Sequence, residues 1–200
     1  MTLHLDVLAA LSVFAFVAGW TPGPNNMMLM ASGVNFGLVR SLPHLAGVAL
    51  GFAFMTVAIG FGLDHIFRVY PSLLPLLRYV GAVYLLWLAV KIASSGPIKD
   101  GGAVGQPLGF LAAAAFQWVN PKGWIMAMSA LTSYAVSDDP VVSVVIVAGV
   151  FTIVGVPGGG AWAAFGSAMR RALSDPKIAR RFNFAMAALL AASIAPIFWE

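Results

Sequence analysis

Residues 7–39 contain no Asp, Glu, Lys or Arg, and neither do residues 140–169. Each run exceeds the roughly 20 residues that an α-helix needs to cross the hydrocarbon core of a bilayer. In water, a helix apolar on every side would have no face to turn outward. The whole chain has the same character. Of its 200 residues 60% are hydrophobic and 9% are charged, against about a quarter charged in an ordinary soluble domain. Mean hydropathy is +0.91. The sequence therefore predicts an all-α integral membrane protein, with one transmembrane domain over residues 1–200.

Six apolar segments stand out: about 3–37, 42–63, 73–95 and 107–136, the run after Asp139, and the run after Arg181. The turn-rich "SGPIKDGGAVGQP" separates repeat one (about 1–95) from repeat two (about 107–200), with 96–106 as connector. Three spans per half is an odd number, so the halves should be inverted repeats. Loop charges orient them. With the N-terminus outside, one side holds Arg40, Lys91, Lys99, Arg170, Arg171, Lys177, Arg180 and Arg181, and the other holds Arg68 and Arg78. Eight basic residues against two predicts both termini on the outer face.

Composition excludes several activities. There is no cysteine, so thiol chemistry, thiolate metal sites and disulfides are out. The basic residues form no aromatic-interleaved stripe for nucleic acid. "MTLHLDVLAA" has no Lys or Arg before its apolar run. That segment reads as a retained helix, not a cleaved signal. No cofactor is indicated, and a homodimer is allowed but not required.

Two segments are interrupted by residues that a membrane helix tolerates poorly. "TPGPNN" (Thr21 to Asn26) falls near the middle of the first, and "WVNPKGW" (Trp118 to Trp124) near the middle of the fourth. Each is the first span of its half. Paired interruptions at matching positions of inverted repeats point to a transporter binding site. Backbone groups freed at that depth must meet protein or a wet cavity. The helix that restarts after each break aims free N–H groups and a partial positive charge at that cavity, which suits a carboxylate. The plainer reading is a pair of proline kinks. Lys122 lies about 15 residues from either end of its span, roughly 20 Å at helical rise, too far to snorkel. It is a functional residue by default or a structural lysine bonded to freed carbonyls.

At these residues the chain resembles the LysE/RhtB family of bacterial amino-acid exporters. "TPGPNNMMLMASG" (Thr21 to Gly33), "RYVGAVYLLWLAVKIASS" (Arg78 to Ser95) and "FQWVNPKGWIMAMSAL" (Phe116 to Leu131) carry the resemblance. They stand in family order across essentially the whole length. The look is closest to the subgroups exporting cysteine-pathway metabolites and homoserine- or threonine-like amino acids. Thr21, Pro22, Gly23, Pro24 and Asn25 match the first motif, and Asn120, Pro121 and Lys122 match the last. The resemblance implies a secondary exporter of amino acids or close derivatives in the bacterial cytoplasmic (inner) membrane, exchanging substrate for protons. The chain departs from the pattern in span five, where "VPGGGAWAAFG" is rich in glycine.

The candidate substrate site is Thr21, Pro22, Gly23, Pro24, Asn25, Asn26, Asn120, Pro121, Lys122 and Trp162, the last as a wall beside the glycines. Close helix packing through small residues is the alternative for those glycines. Candidates for proton coupling are His44, Asp64 and Lys122. His44 titrates near physiological pH when free, but a polar residue resting at the interface would look the same. Asn183 could face a partner helix or a substrate path. Two other classes are weaker. An intramembrane enzyme would need a dyad, and Lys122 and Ser129 stand about 10 Å apart along a helix. A metal-ion exporter would need intramembrane carboxylates, which the spans lack.

Overall fold

The computed structural model describes residues 3–63, 69–94 and 106–194. Asp64, His65 and the connector at 96–105 lie outside the described residues. Among the described residues the regular structure is helical, and one isolated extended bridge joins Leu3 and Ser137. The helices are α1 (Leu5–Trp20), α2 (Pro24–Phe36), α3 (Leu42–Ala58), α4 (Leu73–Ala93), α5 (Phe110–Phe116), α6 (Pro121–Ser133), α7 (Pro140–Met169) and α8 (Pro176–Ala192). A 3-10 turn, Gln117–Val119, joins α5 to α6, and α3 runs on into a wide helical turn, Ile59–Leu63.

Both interruptions fall where the prolines put them. α1 ends at Trp20, and α2 restarts at Pro24 bent by 53°. α5 ends at Phe116 and α6 restarts at Pro121. Among the described residues three helices are long and apolar enough to cross a membrane: Val39–Gly62, Pro75–Ala93 and Pro140–Met169. The bent pair α1–α2 makes a fourth. The expected fourth span is divided more deeply than the first, into a seven-residue α5, a 3-10 turn and α6.

The helix over the expected sixth span starts earlier than the charges suggested. Asp175 accepts from the N–H groups of Lys177 (2.7 Å) and Ile178 (3.1 Å), and Pro176 occupies the first helical position. That N-terminal signal outweighs the charge pattern. Lys177, Arg180 and Arg181 therefore ride on α8 rather than on a loop.

Packing relies on missing side chains. α2 lies directly on α7: a Cβ at Gly33 would overlap the Ala163 carbonyl, and one at Gly166 would overlap the Met30 carbonyl. Farther along α7, Gly158 meets the Trp20 ring, and Gly159 meets Leu29 and Leu45. The span-five glycines thus let helix backbones approach closely. Gly47 and Gly51 do the same for α3 on α5, and Gly81 seats α4 against the Val119 carbonyl at the second break. α1 and α3 also pack on α7, and α4 packs on α8. Large apolar side chains such as Val13, Phe54, Val83, Trp87 and Ile153 are left on the outside, as a lipid-facing surface requires.

Candidate functional site

The two breaks share one local design. A residue before proline is pushed into extended backbone, and proline is favoured at the first position of a helix. Gly23 (φ −177, ψ 176) and Asn120 (φ −87, ψ 104) are both extended, and Pro24 and Pro121 open the helices that follow. Neither start has a side-chain cap, whereas Asp139 and Asp175 cap α7 and α8. The first-turn N–H groups of Asn25, Asn26, Lys122 and Gly123 therefore have no intrahelical acceptor.

Those four residues line a single cavity of about 630 Å³, counting its open mouth. Gly23, Pro24 and Asn120 complete its polar end, and Leu29, Phe52, Met126 and Phe151 supply apolar wall. Gly155 and Gly159 of α7 form part of the lining and leave the space open.

The carbonyls freed by the first break are each taken by a side chain. Asn26 Nδ2 donates to Gly19 O (2.8 Å) and Thr21 O (2.9 Å). Trp162 Nε1 donates to Trp20 O (3.1 Å). Lys122 Nζ donates to Thr21 O (3.2 Å), Thr21 Oγ1 (2.9 Å) and Pro22 O (3.3 Å). The ammonium is half-buried and bridges the second break to the first. Among the described residues no carboxylate pairs with it.

A second bridge joins the breaks. Asn25 Nδ2 donates to Gln117 Oε1 (2.9 Å), and Gln117 Nε2 donates to Asn25 Oδ1 (3.1 Å) and Ala113 O (2.9 Å). Gln117 is fully buried. Asn120 Oδ1 is buried with no hydrogen-bond partner. An unmet acceptor costs about 1–3 kcal/mol, so a donor brought by a ligand would relieve it.

Of the sequence-derived candidates, Gly23, Pro24, Asn25, Asn26, Asn120 and Lys122 line the cavity together. Thr21, Pro22, Pro121 and Trp162 do not. Thr21 and Pro22 offer oxygens to Lys122, and Trp162 ties down the end of α1 instead of walling the cavity. His44 is enclosed by protein. It is 1% exposed between α2 and α3, with Nδ1 2.8 Å from Ser32 Oγ. Asn35 and Asn183 border a second cavity, between α2 and α8. Gln117 was missed. Its signal was an amide in an otherwise apolar run, three residues before the Asn-Pro-Lys motif.

The LysE type translocator model matches residues 16–195 of the chain, a stretch containing both breaks and the cavity. This chain belongs to the LysE type translocator family. The translocator is 32% identical over 197 residues to the cysteine/O-acetylserine efflux protein of Escherichia coli (strain K12). The same figures hold for the proteins of that name in Shigella sonnei (strain Ss046) and Shigella flexneri serotype 5b (strain 8401). Each alignment covers 96% of this translocator and 98% of its relative. No solved structure matches it.

Proposed function

We propose that this translocator exports small amino acids or close derivatives, of the size of cysteine and O-acetylserine, out of the cytoplasm in exchange for protons. The observation that carries the reading is a pair of uncapped helix N-termini on one cavity. Their N–H groups and partial positive charge suit a carboxylate. Lys122 lies beside them and turns from the Thr21 and Pro22 oxygens toward the carboxylate when it arrives. Asn120 Oδ1 accepts from the substrate ammonium, and the apolar wall takes the rest of the molecule. Gly23, Pro24, Asn25 and Asn26 shape the same end. Thr21, Pro22, Pro121 and Trp162 act indirectly, by holding the breaks open.

The arrangement is a bacterial inner-membrane protein of six spans in two inverted repeats, with both termini outside. Helix pairing supports it. Exchanging the halves maps the contact of α1 with α7 onto that of α5 with α3, and both pairs are packed. The names of the relatives support the substrate class. The family and the names of the relatives support a transporter over an enzyme.

A thermal-shift panel on the purified protein tests the site. Cysteine, O-acetylserine, homoserine and threonine are compared with their carboxyl amides and with divalent metal salts. Stabilisation by at least one free acid and not by its amide is expected. Stabilisation by metals alone would overturn the reading.

A further inference from the structure

Ser32 and His44 face each other across the seam between α2 and α3, Oγ to Nδ1 at 2.8 Å. Both are buried, Ser32 at 6% exposure and His44 at 1%, and His44 Nε2 is buried with no partner. The pair lies within one turn of the cavity lining on each helix. Leu29, three residues before Ser32, and Val48, four after His44, both line the cavity. Leu29, Leu45 and Ala163 form a compact apolar cluster with Val48 packed on it. Leu29, Leu45 and Val48 of this cluster line the cavity beside the pair, and we read the cluster as a plug between the two. The charged side chains on the elements packed against α3 are Arg40, exposed and stacked on Phe36, and Lys122, committed to the first break. No carboxylate stands on α2, α5, α6 or α7, nor on α3 itself.

We propose that the Ser32–His44 pair is the proton-coupling site of the translocator, and that a proton on its free nitrogen loosens the plug and opens the cavity toward the basic-loop face. This rests on the proton-exchange reading above. In the tautomer with hydrogen on Nδ1, that group donates to Ser32 Oγ and Nε2 keeps a bare lone pair. Hydronium gives its proton to Nε2, leaving water and an imidazolium. A buried cation with no counter-charge is costly. Opening the α2–α3 seam to water removes that cost. Once hydrated, the imidazolium returns its proton to water on that face, and the neutral pair can close again. Proton uptake thus favours the state that admits substrate from the cytoplasm, the direction an exporter driven by inward protons requires.

The chain has no cysteine, so Val48→Cys supplies a unique reporter beside the plug. Its labelling by a membrane-impermeant maleimide is followed in inside-out vesicles at about pH 6 and about pH 8, on either side of a free histidine's titration. Each rate is normalised to the unfolded protein. A several-fold faster normalised rate at the lower pH is expected with His44. A flat response is expected with His44→Asn, which keeps an amide within reach of Ser32, and with His44→Gln. In proteoliposomes the same variants should retain exchange of labelled O-acetylserine without a pH gradient and lose acceleration by one. A pH response that survives both substitutions, or is missing in the parent, overturns the proposal. So does equal loss of exchange and gradient response. A parent that shows the pH-dependent labelling but moves none of the amino acids sinks the export reading and leaves the proton-linked opening standing.

Discussion

Lys122→Gln is the most informative single change at the cavity. The wild-type ammonium makes three hydrogen bonds to oxygens of the first break. Thr21 O keeps its bond from Asn26 in the variant, and both Thr21 and Pro22 are exposed, so water can replace the rest. The stability cost should therefore be small, about 1 kcal/mol. Binding should suffer far more. Breaking a buried, hydrogen-bonded charge pair on one side costs about 2–5 kcal/mol. That is roughly a 30-fold to several-thousand-fold loss of affinity. Lys122→Arg should also bind poorly, because a planar fork does not replace a point charge in a narrow site. The assay is a double cycle by calorimetry: wild type and variant, each with an amino acid and with its carboxyl amide. Direct pairing predicts strong non-additivity, with the amide losing little more in the variant. Full additivity would refute the pairing and leave Lys122 as a structural brace of the break.

Three further outcomes follow from the geometry. Pro22→Ala with Pro24→Ala should let α1 and α2 join and consume the free N–H groups; the protein should insert normally and efflux should fall to background, whereas normal efflux would reduce the break to a kink. Gln117→Leu should cut the two-way tie to Asn25, lowering melting stability by about 1–3 kcal/mol for the unmet partner and weakening binding, which calorimetry on the same sample measures. A C-terminal reporter active only in the cytoplasm should stay dark; a bright signal would make the span count wrong by one.

Legibility in the sequence followed the strength of the local signal. Proline settles its own backbone and its neighbour's, so both breaks were readable from "TPGP" and "NPK" alone. Their convergence on one cavity followed only from an assumed symmetry. The start of α8 was placed by its charges, yet Asp175 and Pro176 start the helix earlier, a capping signal that the charge pattern hid. The glycines of span five could have lined a ligand or packed a helix. Gly33 against Ala163 and Gly166 against Met30 make them chiefly packing positions, although Gly155 and Gly159 also border the cavity. Trp162 was assigned to a wall by proximity in sequence, but its indole N–H is drawn to a carbonyl at the end of α1. His44 illustrates the limit of position alone. It stands third in α3, and nothing in its local sequence signalled that Ser32 of α2 would meet it.

Efflux from loaded proteoliposomes tests the central claim most directly. Radiolabelled cysteine, O-acetylserine, homoserine, threonine and a basic amino acid are each loaded, and release is timed with and without an imposed pH gradient, acidic on the face bearing the termini. The account predicts release of one or more of the small amino acids, accelerated by the gradient and abolished by Lys122→Gln. Release of none of them, or release indifferent to both the gradient and Lys122, would contradict it.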